Sequence, residues 1–216
     1  MKASLPPKAF EFNKEACLCN WIEINGPIRS GKSILSQHIV SNFKLSNVND
    51  YPVPYIYIFN SRIGGGLLPR KVKEMEESIY SLLEDLNAGF QYPSGILLVI
   101  EELDRFFDFA ASPSLLRSAI LEILANLKKW KITLVTTRQS HLDEWNRHKP
   151  IAHHSDSLRL QVTLGDRALE IARRLWGTAD VRYIWLVEQD RPCIVCDSDS
   201  IRVAIVPEIK QETQPC

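Results

Sequence analysis

The chain has 216 residues, 45% of them apolar and 24% charged, enough for one substantial core and short for two. Its 26 basic and 26 acidic side chains cancel, so overall charge gives no ground for nucleic-acid binding. No apolar run reaches the length of a membrane span and the N-terminus lacks the regions of a signal peptide, so an intracellular location is expected.

In chain order, residues 1–18 read as an irregular leader around Pro6-Pro7, and Trp21–Asn25 reads as a short strand. The next eight residues are Gly26, Pro27, Ile28, Arg29, Ser30, Gly31, Lys32 and Ser33, a full G-x-x-x-x-G-K-[ST] pattern. A helix is expected from Lys32 to about Phe43, with Ile34, Leu35, His38 and Ile39 along one side. In this strand–loop–helix setting the glycines let the backbone approach a phosphate, and the loop amides turn inward. Lys32 supplies positive charge to the β- and γ-phosphates, and Ser33 offers its hydroxyl to Mg2+ at a helix N-terminus that favours anions. All eight residues are therefore expected to bind ATP with Mg2+.

Tyr55 to Phe59 reads as a second strand, preceded by Pro52 and Pro54, and Gly64-Gly65-Gly66 as a flexible loop. Pro69 to Asn87 carries Val72, Met75, Ile79, Leu82, Leu83 and Leu86 at helical spacing, with Gly89 beyond its end. The unbroken apolar run Ile96–Ile100 fits a parallel strand covered on both faces. Glu101 and Glu102 follow it, where a parallel strand delivers carboxylates to the phosphate site. Glu101 is expected to serve Mg2+ through water, with Asp104 as the alternative, and Glu102 to polarise the attacking water.

Ser112-Pro113 opens a further helix with Leu116, Ile120, Ile123, Leu124 and Leu127 on its apolar side, and Ile132–Thr136 reads as the next strand. In the polar turn that follows, Thr137 and Gln139 are candidate sensors of the γ-phosphate, and Arg138 is a candidate contact to phosphate or to a neighbouring subunit. His141 to about Arg147 reads as a short helix, Ser157–Leu164 as a strand, and Asp166–Trp176 as a helix stopped by Gly177. Arg182–Glu188, Pro192–Cys196 and Ile201–Val206 all read as strands of a hairpin or meander. The alternation predicts a three-layer α/β fold with a mostly parallel central sheet and a C-terminal antiparallel extension. The whole chain, 1–216, is expected to form a single domain, with its α/β core over 19–176 and strands and tail over 177–216.

Residues 111–176 hold 11 Lys or Arg against 6 Asp or Glu. Within them Lys128, Lys129 and Lys131 surround Trp130, either a basic and aromatic nucleic-acid contact or the rim of a buried Trp130. Hydrolytic phosphoryl transfer often needs an arginine against developing negative charge, and Arg117, Arg138, Arg147, Arg173 and Arg174 are the candidates. Of five cysteines, Cys17 with Cys19 and Cys193 with Cys196 form close pairs. The second pair lies three apart on a strand, pointing to opposite faces, so buried free thiols are expected in preference to zinc ligation. His153, His154 and Asp156 read as loop residues.

The segments GPIRSGKS, ILLVIEE and ITLVTTRQ, with the late strands RYIWLVE and IRVAIV, resemble in their order the FtsK/HerA superfamily of DNA-pumping ATPases. They are most similar to the small genome-packaging ATPases of membrane-containing icosahedral viruses, with filamentous-phage Zot-like proteins as relatives. The resemblance spans roughly residues 21–206. It implies ATP hydrolysis that moves double-stranded DNA through a homo-oligomeric ring, commonly a hexamer. Capsid or membrane-associated viral proteins are then partners, in the host cytoplasm or on the virion. By the same resemblance Lys32 and Ser33 take the phosphate and magnesium roles, and Glu101-Glu102 stands on the usual Asp-Glu pair. The family's Gln at the end of the third strand corresponds here to Arg138 followed by Gln139. Where the family places a trans-acting arginine, this chain has Leu127-Lys128-Lys129. Two other readings stay open at this point. One is a small-molecule kinase with the Arg173-Arg174 helix as a lid, and the other is a nucleotide-controlled assembly or membrane-complex subunit.

Overall fold

The apolar run Ile96–Glu101 is buried at every position and sits inside a sheet of seven strands. The computed structural model describes residues 9–12, 16, 19–46, 55–60, 69–139, 159–197 and 200–207. In chain order the elements are β1 (Trp21–Asn25), α1 (Lys32–Ser46), β2 (Tyr55–Asn60), α2 (Pro69–Asn87), β3 (Ile96–Glu101), α3 (Leu103–Phe109) and α4 (Pro113–Asn126). They continue with β4 (Ile132–Arg138), β5 (Arg159–Leu164), α5 (Asp166–Trp176), α6 (Val181–Val187), β6 (Pro192–Cys196) and β7 (Ile201–Ile205). The strand order is β2-β3-β4-β1-β5-β6-β7. β1 to β5 run parallel, and β6 and β7 are antiparallel additions at one edge. The architecture is thus α/β with a mixed central sheet and peripheral helices.

Side-chain alternation along the strands sorts the core into two layers. Ile96, Leu98 and Ile100 of β3 pack with Met75, Ile79 and Leu82 of α2 and with Leu116, Ile120 and Ile123 of α4. Leu97 and Val99 point the other way, into a cluster with Ile22, Ile24, Val135 and the α1 residues Leu35 and Ile39. A third cluster seats Ala168 and Ala172 of α5 and Trp185 and Leu186 of α6 against Ile194 and Val203. Helices therefore cover both faces, and α1 shares its face with the odd-numbered residues of β3 and β4.

Three segments differ from the sequence-based expectations. Val181–Val187 is a helix, although its β-branched and aromatic residues read as a strand. Asp180 caps it by accepting the Arg182 N–H at 2.8 Å, and Trp185 and Leu186 are buried beneath it. A cap together with tertiary burial outweighs local β preference. The short α3 directly after Glu102 has no counterpart in the sequence reading. In the leader, Phe10 and Phe12 are buried, and the Phe10 N–H donates to the Val203 carbonyl at 2.9 Å, so this part of the leader is fastened to β7. The expected helix at His141–Arg147 lies outside the described residues, as do Arg147, His153, His154, Asp156 and Cys17.

Candidate nucleotide site

β1 ends at Asn25, and the loop Gly26–Ser33 carries the chain into α1 at the C-terminal edge of the parallel sheet. The loop is moored to that edge by the Gly26 N–H, which donates to the Arg138 carbonyl of β4 at 3.3 Å. A β-carbon at Gly26 would lie 2.5 Å from Ser30 Oγ and, on the β5 side, 3.1 Å from Leu164 Cβ and 3.2 Å from its carbonyl oxygen, so glycine suits this position. Gly31 has φ +96°, a left-handed conformation that only glycine adopts cheaply. The Lys32 side chain is 5% exposed, and its ammonium donates to the carbonyls of Gly26 and Pro27 at 2.7 Å each. Those bonds hold the charge inside the turn of the loop, above the N-terminus of α1, where anions are favoured. Ser33 is half-buried one residue further on, while Pro27, Ile28 and Arg29 form the exposed crest.

The acids stand at the end of β3, two strands from β1. By alternation with Leu97 and Val99, Glu101 projects to the α1 face, and it is buried there. Glu102 breaks the strand with φ 57° and ψ 49°, a left-handed conformation that costs a non-glycine residue roughly 1–2 kcal/mol. Its environment holds it there. The Glu102 N–H donates to Thr137 Oγ1 at 2.9 Å, Gln139 Nε2 donates to Glu102 Oε1 at 2.7 Å, and Arg105 Nε lies 3.3 Å from Oε2. Glu102 is thus a strained acid fixed from three sides, at the same sheet edge as the Gly26–Ser33 loop. Thr137→Val removes the acceptor for a buried N–H, so it should destabilise the fold by about 1–3 kcal/mol and lower turnover, while Thr137→Ser should keep both. Denaturant unfolding alongside a turnover assay checks this.

Thr137 and Gln139 thus both reach the site, but through Glu102. Arg105, which the sequence reading passed over, joins them because α3 turns it back by one helical turn. Arg138 does not join them. It points to the opposite face of the sheet, 2% exposed, where its Nε donates to Asp104 Oδ1 at 2.7 Å and its guanidinium lies 3.6 Å from Glu23 Oε1. The expectation that Arg138 meets a phosphate or a neighbouring subunit is corrected accordingly: burial removes it from any partner's reach. Asp104, the alternative metal ligand, is engaged by Arg138 and by the Gln139 N–H at 3.2 Å.

Glu23 also pairs with Arg159, whose guanidinium stacks 4.2 Å from the Trp21 ring centre. Glu23 is 1% exposed between two cations, so its removal leaves buried charge uncompensated. Glu23→Ala should cost about 3–5 kcal/mol of stability in equilibrium unfolding.

Elsewhere the basic residues divide by environment. Trp130 is buried under a rim of exposed Lys128, Lys129 and Lys131, at the N-terminal end of β4 and away from the phosphate loop. Lys129 lies 5.7 Å over its ring. Arg174 pairs with Glu170 on exposed α5, Arg173 is exposed beside it, and Arg117 stacks on Phe107. Cys193 is fully buried, which pushes its thiol pKa well above the ordinary range, and its strand neighbour Cys196 is half-buried.

The donor set at the loop suits Mg2+: a serine hydroxyl and a strand-end carboxylate are hard oxygen ligands. Among the described residues no three His, Cys, Asp or Glu side chains gather into a metal cage. Mg2+ does not need one, since it is usually held by one or two protein oxygens together with substrate phosphates and water.

No protein-family model matches the chain, and no curated protein sequence does. Among solved structures, one described as an ATPase covers 68% of this chain and 67% of its own, at 11% identity and a TM-score of 0.43. The KaiC-like protein PH0186 from the hyperthermophilic archaeon Pyrococcus horikoshii OT3 aligns over 92% of both chains, at 11% identity and a TM-score of 0.44. At that level of likeness neither bears on the activity of this chain. The functional reading rests on the loop, the acids and their placement.

Proposed function

We propose that this protein is a Mg2+-dependent ATPase whose homo-oligomeric ring, a hexamer in the narrow form of the reading, translocates double-stranded DNA. The observation that carries the hydrolytic part is the Glu102–Gln139 pair, held in a strained turn at the same sheet edge as the Gly26–Ser33 loop. The loop amides and Lys32 bind the β- and γ-phosphates. Ser33 and Glu101 would hold Mg2+, which would supply positive charge against the negative charge of the phosphates. Glu102 accepts a hydrogen bond from the attacking water, and Gln139 fixes the carboxylate by donating to its Oε1. Water is the acceptor in this reading, because Glu102 and Gln139 form a carboxylate–amide pair suited to orienting it.

The DNA part is supported by the order of the segments GPIRSGKS, ILLVIEE and ITLVTTRQ, which resembles the DNA-pumping ATPases. The exposed lysines around Trp130 offer such a ring its basic surface, through phosphate contacts and without base stacking, since Trp130 itself is buried. Viral genome packaging, with capsid or membrane-associated viral proteins as partners, is the most specific form of the proposal. The test is steady-state ATP turnover with and without duplex DNA, on material of known oligomeric state and saturated with Mg2+. Stimulation by duplex DNA is expected, and hydrolysis that ignores DNA contradicts the translocation reading.

A further inference from the structure

We infer that Arg191, at the threshold of β6, is a nucleotide-binding residue that grips the α/β portion of the bound polyphosphate from the side of the loop opposite the acids. A β-carbon at Gly31 would lie 3.3 Å from Arg191 Cδ and 3.8 Å from its Nε, so the side chain lies directly against the phosphate loop. Gly31, with no side chain, is what allows that approach. The backbone that presents Arg191 is fixed: the Gly165 N–H donates to the Pro192 carbonyl at 2.8 Å, and Cys193 pairs with Leu164. Gly165 in turn abuts the loop, since a β-carbon there would lie 3.3 Å from Ser30 Cβ and 3.4 Å from Pro27 Cγ. Arg191 is half-buried, and among the described residues no carboxylate pairs with its guanidinium. A partly desolvated fork of donors with no anion of its own, laid on an anion-binding loop, is built for phosphate.

The sheet order decides which phosphates. β3 and β4, which carry Glu101, Glu102, Thr137 and Gln139, lie on one side of β1, and β5 and β6 lie on the other. The γ-phosphate must face the acids for water to attack it. Arg191 therefore approaches the portion that ATP and ADP share.

The inference rests on the proposed nucleotide site, and its test separates the two. Affinities of ADP and of a non-hydrolysable ATP analogue are measured by calorimetry on the wild type, Arg191→Ala and Arg191→Lys. Arg191→Ala should weaken both ligands by a common factor of about 10–100-fold, the loss of a charge-assisted hydrogen bond. Arg191→Lys, which keeps the charge and loses the fork, should fall between, and in turnover the loss should appear in KM. Among the described residues no ion pair or hydrogen bond ties down the Arg191 guanidinium, so the thermal midpoint without nucleotide should hold. Unchanged affinities would overturn the inference and leave the nucleotide site standing. A loss confined to the triphosphate would overturn it too, by putting Arg191 at the γ-phosphate. A wild type that binds neither ligand would remove both readings.

Discussion

Lys32→Ala should weaken binding of Mg2+-ATP by on the order of 10²–10⁴-fold, the equivalent of about two charge-assisted hydrogen bonds. The ammonium is placed by the carbonyls of Gly26 and Pro27, at the mouth of α1. Nothing else described inside the turn of the loop carries positive charge, since Arg29 sits on the exposed crest. The alanine variant also strips two carbonyls of their donor, so part of its effect is structural. Lys32→Arg separates the two contributions. It keeps a cation and a donor but cannot fold its planar fork into so short a turn, so the fold should survive better than affinity does. Titration calorimetry paired with thermal unfolding reads both effects. Affinity that persists in Lys32→Ala would place the nucleotide elsewhere.

Glu102→Gln should lower turnover by roughly 10²–10⁴-fold, the usual worth of a positioned general base, while ATP binding changes by no more than a few-fold. The substitution keeps the volume, and it can keep one hydrogen bond to Gln139 if the new amide presents its oxygen. It removes the negative charge that polarises water and that faces Arg105 at 3.3 Å. The variant should therefore hold ATP without consuming it. Loss of binding together with turnover would show instead that Glu102 is a structural part of the loop's surroundings. Unchanged turnover would remove it from the chemistry altogether. Gln139→Ala is the milder companion. It removes one hydrogen bond to Glu102 and leaves the charge, so its effect should lie on kcat and be smaller than that of Glu102→Gln.

The parts of this site that could be read from sequence are those whose chemistry is local. The octet Gly26–Ser33 carries its own signal because glycine spacing, lysine and serine all act within one turn. The run Ile96–Ile100 declares a covered strand by composition, and so locates the acids at its end. Pro69–Asn87 is a helix by its periodicity alone, and the structure returns the same bounds. What was not legible depended on faces and neighbours. Adjacency in the chain groups Arg138 with Thr137 and Gln139. Strand alternation sends Arg138 to the other side of the sheet, and that period-2 signal was available once β4 was extended to its true end. Val181–Val187 has strand-like residues but an aspartate cap and a buried Trp185-Leu186 pair, and the latter is a tertiary fact. Arg191 sits between Asp190 and Pro192 in a stretch that reads as a turn. Nothing local marks it, because its significance comes from Gly31, 160 positions earlier in the chain.

Glu101 stands at the last residue of β3, on the face shared with α1. Glu102 takes a left-handed turn, and its Oε1 accepts from Gln139 Nε2 just beyond β4 at 2.7 Å.

The fate of the γ-phosphate tests the central claim most directly. Wild-type protein and Glu102→Gln are incubated with Mg2+ and ATP labelled at the γ-position, and the label is followed in inorganic phosphate, in added small acceptors and in the protein-bound fraction. The account predicts label released to water by the wild type and retained as bound ATP by Glu102→Gln. Label transferred to a small acceptor, or ATP bound by the wild type and never cleaved, would contradict it.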